Sequence, residues 1–318
     1  MNQLINCSGD TLRIKAPAKI NLHLEILGMR SDGFHELAMV MQSIDLSDFI
    51  EIKGISTSEL IISSNHSGLS LGDDNLIMKA ARLIRTSSGR TDLGASIHLI
   101  KNIPIGAGLA GGSTDAAATL VGLNKLWKLN YSLQDLETMS AQLGSDVPFC
   151  ISGGTQLCFG RGENLEKVDG ASARDVMAIV LVKDPLVEVS TPWAYATYKK
   201  VNSSKYINDE GDFHVRRQLL RNSNWLNPLN VLSPPPLRND LQEVVAPITP
   251  AVKNSLKFLS SLSGAVSLAM SGSGPSCFAI FPSLDAATSA LENKKAELKK
   301  YGLDGWCCTF NMKGADCV

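Results

Sequence analysis

Apolar and polar residues alternate from Lys19 to Ile26. Ile20, Leu22, Leu24 and Ile26 fall on one side, and Lys19, Asn21, His23 and Glu25 on the other. A period of two predicts a half-buried strand, with His23 and Glu25 expected on its solvent face. Ser31-Asp32-Gly33 is turn chemistry, and short strands are predicted over 48–52 and 59–63. The period then lengthens. Asp73-Asp74-Asn75 offers capping side chains to a helix through Leu76 and Ala81. Residues 97–103 alternate as a strand that Pro104 stops, and Ala116, Leu120, Leu123 and Trp127 recur at helix spacing. Ser132-Leu133-Gln134-Asp135 resembles a capping box and opens a second helix reaching 143.

The second half reads differently. Charge rises from Glu163 to Asp175, where a crossing between domains is expected. The apolar run 176–182 predicts a buried strand, and Ser190-Thr191-Pro192 opens a helix with a hydroxyl cap and an early proline. Helices are predicted over 213–221, 249–261 and 284–300, and strands over 264–270, 277–281 and 306–310. Residues 224–240, with four prolines, read as loop. Such a β-α-α-β-β-α-β order suits an open sheet with helices on one side. The segment 202–212 carries no readable pattern.

Composition narrows the classes. The 318 residues suffice for two modest domains. A net charge of −1 argues against a nucleic-acid binder that works by neutralising phosphates. No apolar run approaches bilayer length, so no membrane partner is expected. The polar stretch Met1–Asp10 lacks the apolar core of a signal peptide, which makes the cytoplasm the expected compartment. The seven cysteines show neither CxxC nor Cys/His zinc spacing and are expected as reduced, mostly buried thiols.

The most informative stretch follows the strand that ends at Pro104. Between Gly106 and Gly112 lie four glycines in seven positions, then Ser113 and Thr114. Glycines let backbone N–H groups turn inward and a ligand approach, and the next helix adds its own free N–H groups. Such a loop binds phosphate. Gly106-x-Gly108-x-x-Gly111 also matches the dinucleotide fingerprint, but no second strand with an acidic end follows. No Lys-Ser/Thr pair makes it a Walker A loop. Without a ligand, it would be a glycine-rich connection with Ser113 or Thr114 as an ordinary helix cap.

Pro104 to Thr114 resembles the ATP-binding motif of the GHMP small-molecule kinases, and the resemblance extends over nearly the whole chain. It implies an α+β, two-domain GHMP kinase fold, with a ribosomal S5 domain 2-like N-terminal domain over 1–165 and a ferredoxin-like C-terminal domain over 166–318. The final strand near 305–312 is allowed to return to the first domain. ATP with Mg2+ is the implied cofactor, held by Pro104, Ile105, Gly106, Ala107, Gly108, Leu109, Ala110, Gly111, Gly112, Ser113 and Thr114. The family's Pro-x-Lys-x-Asn segment is matched by Pro17, Lys19 and Asn21, which puts Lys19 beside the hydroxyl to be phosphorylated. Its Asp-Val-Pro segment makes Asp146 the second catalytic residue. The role of Asp115 and the metal ligands stay open.

Within the family the chain most resembles the branch that phosphorylates the 2-hydroxyl of 4-diphosphocytidyl-2-C-methyl-D-erythritol in non-mevalonate isoprenoid biosynthesis. There an Arg-x-Asp-Gly-aromatic-His segment holds cytosine, matched by Arg30, Asp32, Gly33, Phe34 and His35, with Phe34 where tyrosine is common. Thr191, Gly272 and Ser273 are implied near the substrate, and Asn239-Asp240-Leu241 in a structural role. A monomer or homodimer is expected. The alternatives are another GHMP kinase, acting on homoserine, mevalonate or a sugar; a nicotinamide-dependent oxidoreductase; and a non-catalytic anion-binding module. The last would leave Lys19 and Asp146 far apart.

Overall fold

A computed structural model describes residues 11–168, 177–223 and 236–318. The readings made on Met1–Asp10, on most of the proline-rich 224–240 and on the end of the 163–175 crossing lie outside the described residues. Two long strands form the base, β1 (Leu12–Met29) and β2 (His35–Ile55), antiparallel along their whole length. β2 is far longer than the predicted 48–52. Its stretch Glu36–Ile44, apolar from Leu37 to Met41, is buried on both faces, so it lacks the alternation that marks a half-buried strand.

The alternation in β1 is not one face either. Register shifts fall between Pro17 and Lys19 and again between Asn21 and His23. At the first, β1 advances two residues against four of β2, and at the second two against one; such irregularities turn the following side chains over. Ala18, Ile20 and Leu22 therefore join one apolar cluster, whereas Ile14, Ala16, Leu24 and Ile26 join another on the opposite face. Between the two bulges, Lys19 and Asn21 take the places where that second face would otherwise carry apolar residues. Both are buried.

β3 (Leu60–Ser64) runs parallel to β4 (Gly94–Ile100), with α1 (Leu76–Ser87) between them in sequence. Asn75 caps α1 by accepting from Ile77 N at 2.8 Å. Helix α2 (Gly111–Leu126) packs its buried side on β1 and β2. α3 (Leu133–Ser140) opens with the expected capping box of Ser132 and Asp135, and α4 (Val147–Ser152) follows. β5 (Thr155–Gly160) returns to pair with β2 and folds back onto β6 (Asn164–Lys167).

The second sheet centres on β7 (Ala178–Lys183). Helices α5 (Thr191–Asn202) and α6 (Glu210–Arg221), the two-residue β8 (Arg238–Asn239), α7 (Gln242–Val245) and α8 (Pro250–Ser260) follow. β9 (Ser267–Met270) and β10 (Cys277–Phe281) form a hairpin-like pair beside β7. The single predicted helix over 284–300 is two, α9 (Leu284–Asn293) and α10 (Lys295–Lys300), broken at Lys294. β11 (Asp304–Asn311) pairs with β7 and then, at Phe310 and Asn311, with β2, joining the two sheets. β12 (Asp316–Cys317) closes on β1. The architecture is α+β, as expected. No helix among the described residues is long and apolar enough to cross a membrane.

Glu25 corrects the solvent reading. It is buried, and its carboxylate meets the guanidinium groups of Arg216 on α6 and Arg238 on β8. Arg217 and Arg221 of α6 likewise pair with Glu36 and Glu166, docking that helix on the first sheet. Burial would raise the Glu25 carboxyl, but bonds from His23 and Arg216 and the charge of Arg238 outweigh it and hold the pKa down to about 2. A depressed carboxyl stabilises the fold above its unfolded pKa, and that contribution is lost as pH falls through the folded value. Glu25→Gln is therefore expected to cost about 2–3 kcal/mol at pH 7. Denaturant titrations should show the gap to wild type closing between pH 5 and pH 2. A gap independent of pH would remove the charge from the explanation.

Candidate active site

A cleft of about 1020 Å³ opens between the glycine loop, the β1–β2 end and helix α5. Lys19, Asn21, Phe34, His35, Asp146, Thr191, Gly272 and Ser273 all line it, as does every residue from Pro104 to Ser113. Thr114 is the exception. It is fully buried, with its hydroxyl against the Cys150 thiol and its N–H donating to Ala110 O at 2.9 Å. The reason is that α2 starts at Gly111, five residues before the apolar stripe that revealed it, so Ser113 and Thr114 sit a full 100° apart on its first turn.

The loop keeps its shape through three backbone positions with positive φ: Gly106 at 61°, Gly108 at 72° and Ala110 at 58°. Its next helix presents first-turn N–H groups that have no acceptor within the helix. Two contacts fix the loop from outside. Lys19 N, set by the first bulge, donates to Leu109 O at 3.1 Å, and Ser271 Oγ donates to Gly108 O at 3.2 Å. A Cβ on Gly108 would lie 2.5 Å from Ser271 O, so the two glycine turns touch backbone to backbone. Asn239 holds the second turn by donating to Met270 O at 2.7 Å and Gly272 O at 2.9 Å.

At the mouth of the loop, Lys19 Nζ lies 3.3 Å from Asp146 Oδ2 and donates to Asn21 Oδ1 at 2.8 Å. The lysine side chain is 5% exposed and the aspartate 33%, so the carboxylate rather than the ammonium opens to the cleft. Asp146 stands at the start of α4, yet its side chain makes no capping bond there. Its carboxylate is left to the cleft.

A buried charged triad lies behind the loop. Lys101 Nζ bridges Asp48 Oδ2 at 2.5 Å and Asp115 Oδ2 at 2.7 Å. Asp48 also accepts from the backbone N–H groups of Asn102 and Ile103, tying the start of the loop to β2. Burial alone would lower the Lys101 pKa, and the two carboxylates raise it instead. Burial pushes the Asp115 carboxyl up, against the pull of Lys101 and with the help of Asp48.

The far end of the cleft is aromatic. Phe34 is 53% exposed, with the Arg161 guanidinium 4.9 Å from its ring centre. The His35 ring lies 5.1 Å from Tyr195 and 5.7 Å from Tyr206, and its Nε2 is 2.9 Å from the Tyr206 hydroxyl. Burial, and then the charge of Lys199, lower the His35 pKa. Sequence reasoning missed Tyr195, Lys199, Arg161 and Tyr206. The first two were findable, since Thr191, Tyr195 and Lys199 recur every four residues and so share one face of α5. The other two left no pattern.

Family models for the N-terminal and C-terminal domains of GHMP kinases match residues 75–154 and 215–300. A Prochlorococcus marinus protein named 4-diphosphocytidyl-2-C-methyl-D-erythritol kinase is 61% identical over 307 residues, covering 96% of each chain. The chain belongs to the GHMP kinase family. A Synechococcus relative of this GHMP kinase bears the same name and is 55% identical over 95% of the chain and 98% of its own length. A crystal structure of 4-(cytidine 5'-diphospho)-2C-methyl-D-erythritol kinase superposes with a TM-score of 0.72 at 28% identity, over 94% of the chain and 99% of that structure. A homoserine kinase from Cytophaga hutchinsonii, at 18% identity and a TM-score of 0.70, shares the fold of this GHMP kinase.

Proposed function

We propose that the protein transfers the terminal phosphoryl group of ATP to the 2-hydroxyl of 4-diphosphocytidyl-2-C-methyl-D-erythritol, giving the 2-phosphate and ADP, a step of non-mevalonate isoprenoid biosynthesis. The observation that carries this reading is a single cleft with a phosphate cradle, a Lys–Asp pair at its mouth and an aromatic–histidine pocket beyond. Neither a homoserine nor a sugar substrate would need the aromatic end. The names of relatives at 51–61% identity support the same substrate.

Asp146 accepts or orients the proton of the attacking hydroxyl, and Lys19 steadies that carboxylate and the charge on the moving phosphoryl group. The loop N–H groups of 106–113 and the Ser113 hydroxyl hold the nucleotide phosphates. No group of three or more His, Cys, Asp or Glu side chains among the described residues forms a metal site by itself. A magnesium ion delivered on ATP needs only one or two protein oxygens, and the orphaned Oδ1 of Asp115, a residue that lines the cleft, fits that demand. Such an ion supplies charge neutralisation on the phosphates. We assign the cradle to a domain over 1–165, with β11 returning to it, and the opposite wall to 166–318. The reaction is assigned to the cytoplasm.

ADP release measured with MgATP and a panel of alcohols tests the substrate. Turnover should need the cytidylyl alcohol, and equal turnover of homoserine, mevalonate or galactose would overturn the reading. Phe34→Ala should raise KM for the cytidylyl substrate about tenfold, since base stacking contributes roughly 1–3 kcal/mol, and spare KM for ATP. An unmoved KM would place the base elsewhere.

A further inference from the structure

We infer that Tyr206 decides which ring nitrogen of His35 carries the proton, and that it thereby makes the cleft prefer cytosine to uracil. The inference rests on the substrate reading above. Tyr206 belongs to the segment 202–212 that offers no sequence pattern, yet it is held on every side. Its N–H donates to Ser203 O at 3.2 Å, and the next residue, Ile207, donates to Leu27 O at 2.8 Å, which anchors the segment to β1. Its ring stacks on Tyr198 at 6.3 Å, and Tyr198 in turn donates its hydroxyl to Asp240 Oδ2 at 3.2 Å. The hydroxyl of Tyr206 is left at a fixed point, 2.9 Å from His35 Nε2, with the two rings edge to face at 90°.

A neutral imidazole has one donor and one acceptor nitrogen, so the partner of one nitrogen sets the role of the other. The ring is held neutral by burial and by Lys199, and burial raises the Tyr206 phenol to about 12, so its proton stays in place. A phenol oxygen shares a lone pair with its ring and donates better than it accepts. Donation to Nε2 puts the histidine proton on Nδ1, and Nδ1–H is then the polar group the ring has left for a ligand in the cleft. Cytosine presents an unprotonated N3 that accepts this proton. Uracil carries a hydrogen on N3, and two donors would face each other. A site built to make one hydrogen bond rejects the analogue that cannot complete it.

Nitrogen-15 NMR of the histidine ring in the wild-type protein reads the tautomer without reference to activity, and should show protonated Nδ1 at His35. Tyr206→Phe keeps the stacked ring and removes only the hydroxyl. It should shift the His35 signals toward a mixture of tautomers. It should also cut the ratio of kcat/KM for the cytidylyl substrate over its uridylyl analogue at least fivefold, with KM for ATP unchanged. Protonated Nε2 in the wild type, or a ratio unmoved in the variant, would overturn the inference. Turnover of neither analogue by the wild type would instead overturn the substrate reading and, with it, the selectivity claim, while the NMR result would still decide the tautomer.

Discussion

Asp146→Asn is expected to lower kcat by two or more orders of magnitude, the range for loss of a positioned acid–base group, while KM for ATP stays within about threefold. The substitution isolates the charge. Asparagine matches aspartate in size, and the Asp146 side chain makes no capping bond to α4, so the helix loses nothing when the carboxylate goes. What is lost is the partner of Lys19 and, in the mechanism proposed above, the acceptor for the hydroxyl proton. Lys19→Met should reach a similar loss by the opposite route. Its methylene stem stays packed between the two bulges, but the ammonium 3.3 Å from Asp146 is gone, and phosphoryl transfer depends mainly on positioning and charge. Because Lys19 is buried and also bonds Asn21 Oδ1, this second variant should in addition melt at a lower temperature. Steady-state kinetics with thermal melts separate the two effects. Turnover within tenfold of wild type in either variant would take that residue out of the mechanism.

Much of this site was legible because its chemistry imposes unusual sequence. A loop that turns N–H groups inward needs positive φ at several positions, and the glycines at 106 and 108 announce that need. The Lys–Asp pair and the cleft-lining Phe34 and His35 were legible only through resemblance to a family, since a lysine and an asparagine on a strand look like any solvent face. The bulges of β1 explain the rest of the miss. Because an apolar cluster covers each face of β1, the alternation runs unbroken through the reversal between Asn21 and His23, so Ile20 to Ile26 looks like a single face and Glu25 reads as exposed when it is the anchor for α6. Thr114 was misplaced for a related reason. The apolar stripe dates the helix from Ala116, while glycines 111 and 112 start it a turn earlier. Arg161 reaches the cleft, and Tyr206 reaches the His35 ring that lines it, through tertiary packing alone. Their neighbours in sequence share no period with them.

Gly108→Ala should raise KM for ATP tenfold or more and cost about 2–4 kcal/mol of stability, which puts it among the large effects of single substitutions. Two penalties combine. A φ of 72° strains any side chain by about 1–2 kcal/mol. The new Cβ would also stand 2.5 Å from Ser271 O and 2.9 Å from Gly274 O, and these are backbone atoms that cannot rotate away. Asn239 pins the carbonyls on either side of Ser271, so the second turn cannot retreat cheaply, and the cradle must move instead. Gly89→Ala supplies the control. That glycine has nearly the same φ, 67°, with nothing within 4 Å of an added Cβ. It should pay the strain, about 1 kcal/mol, and leave KM for ATP alone. If both alanine variants bind ATP like the wild type, the close approach of the two turns does not shape the nucleotide site. If Gly89→Ala weakens ATP as much as Gly108→Ala, the effect is general loosening and not the loss of that contact.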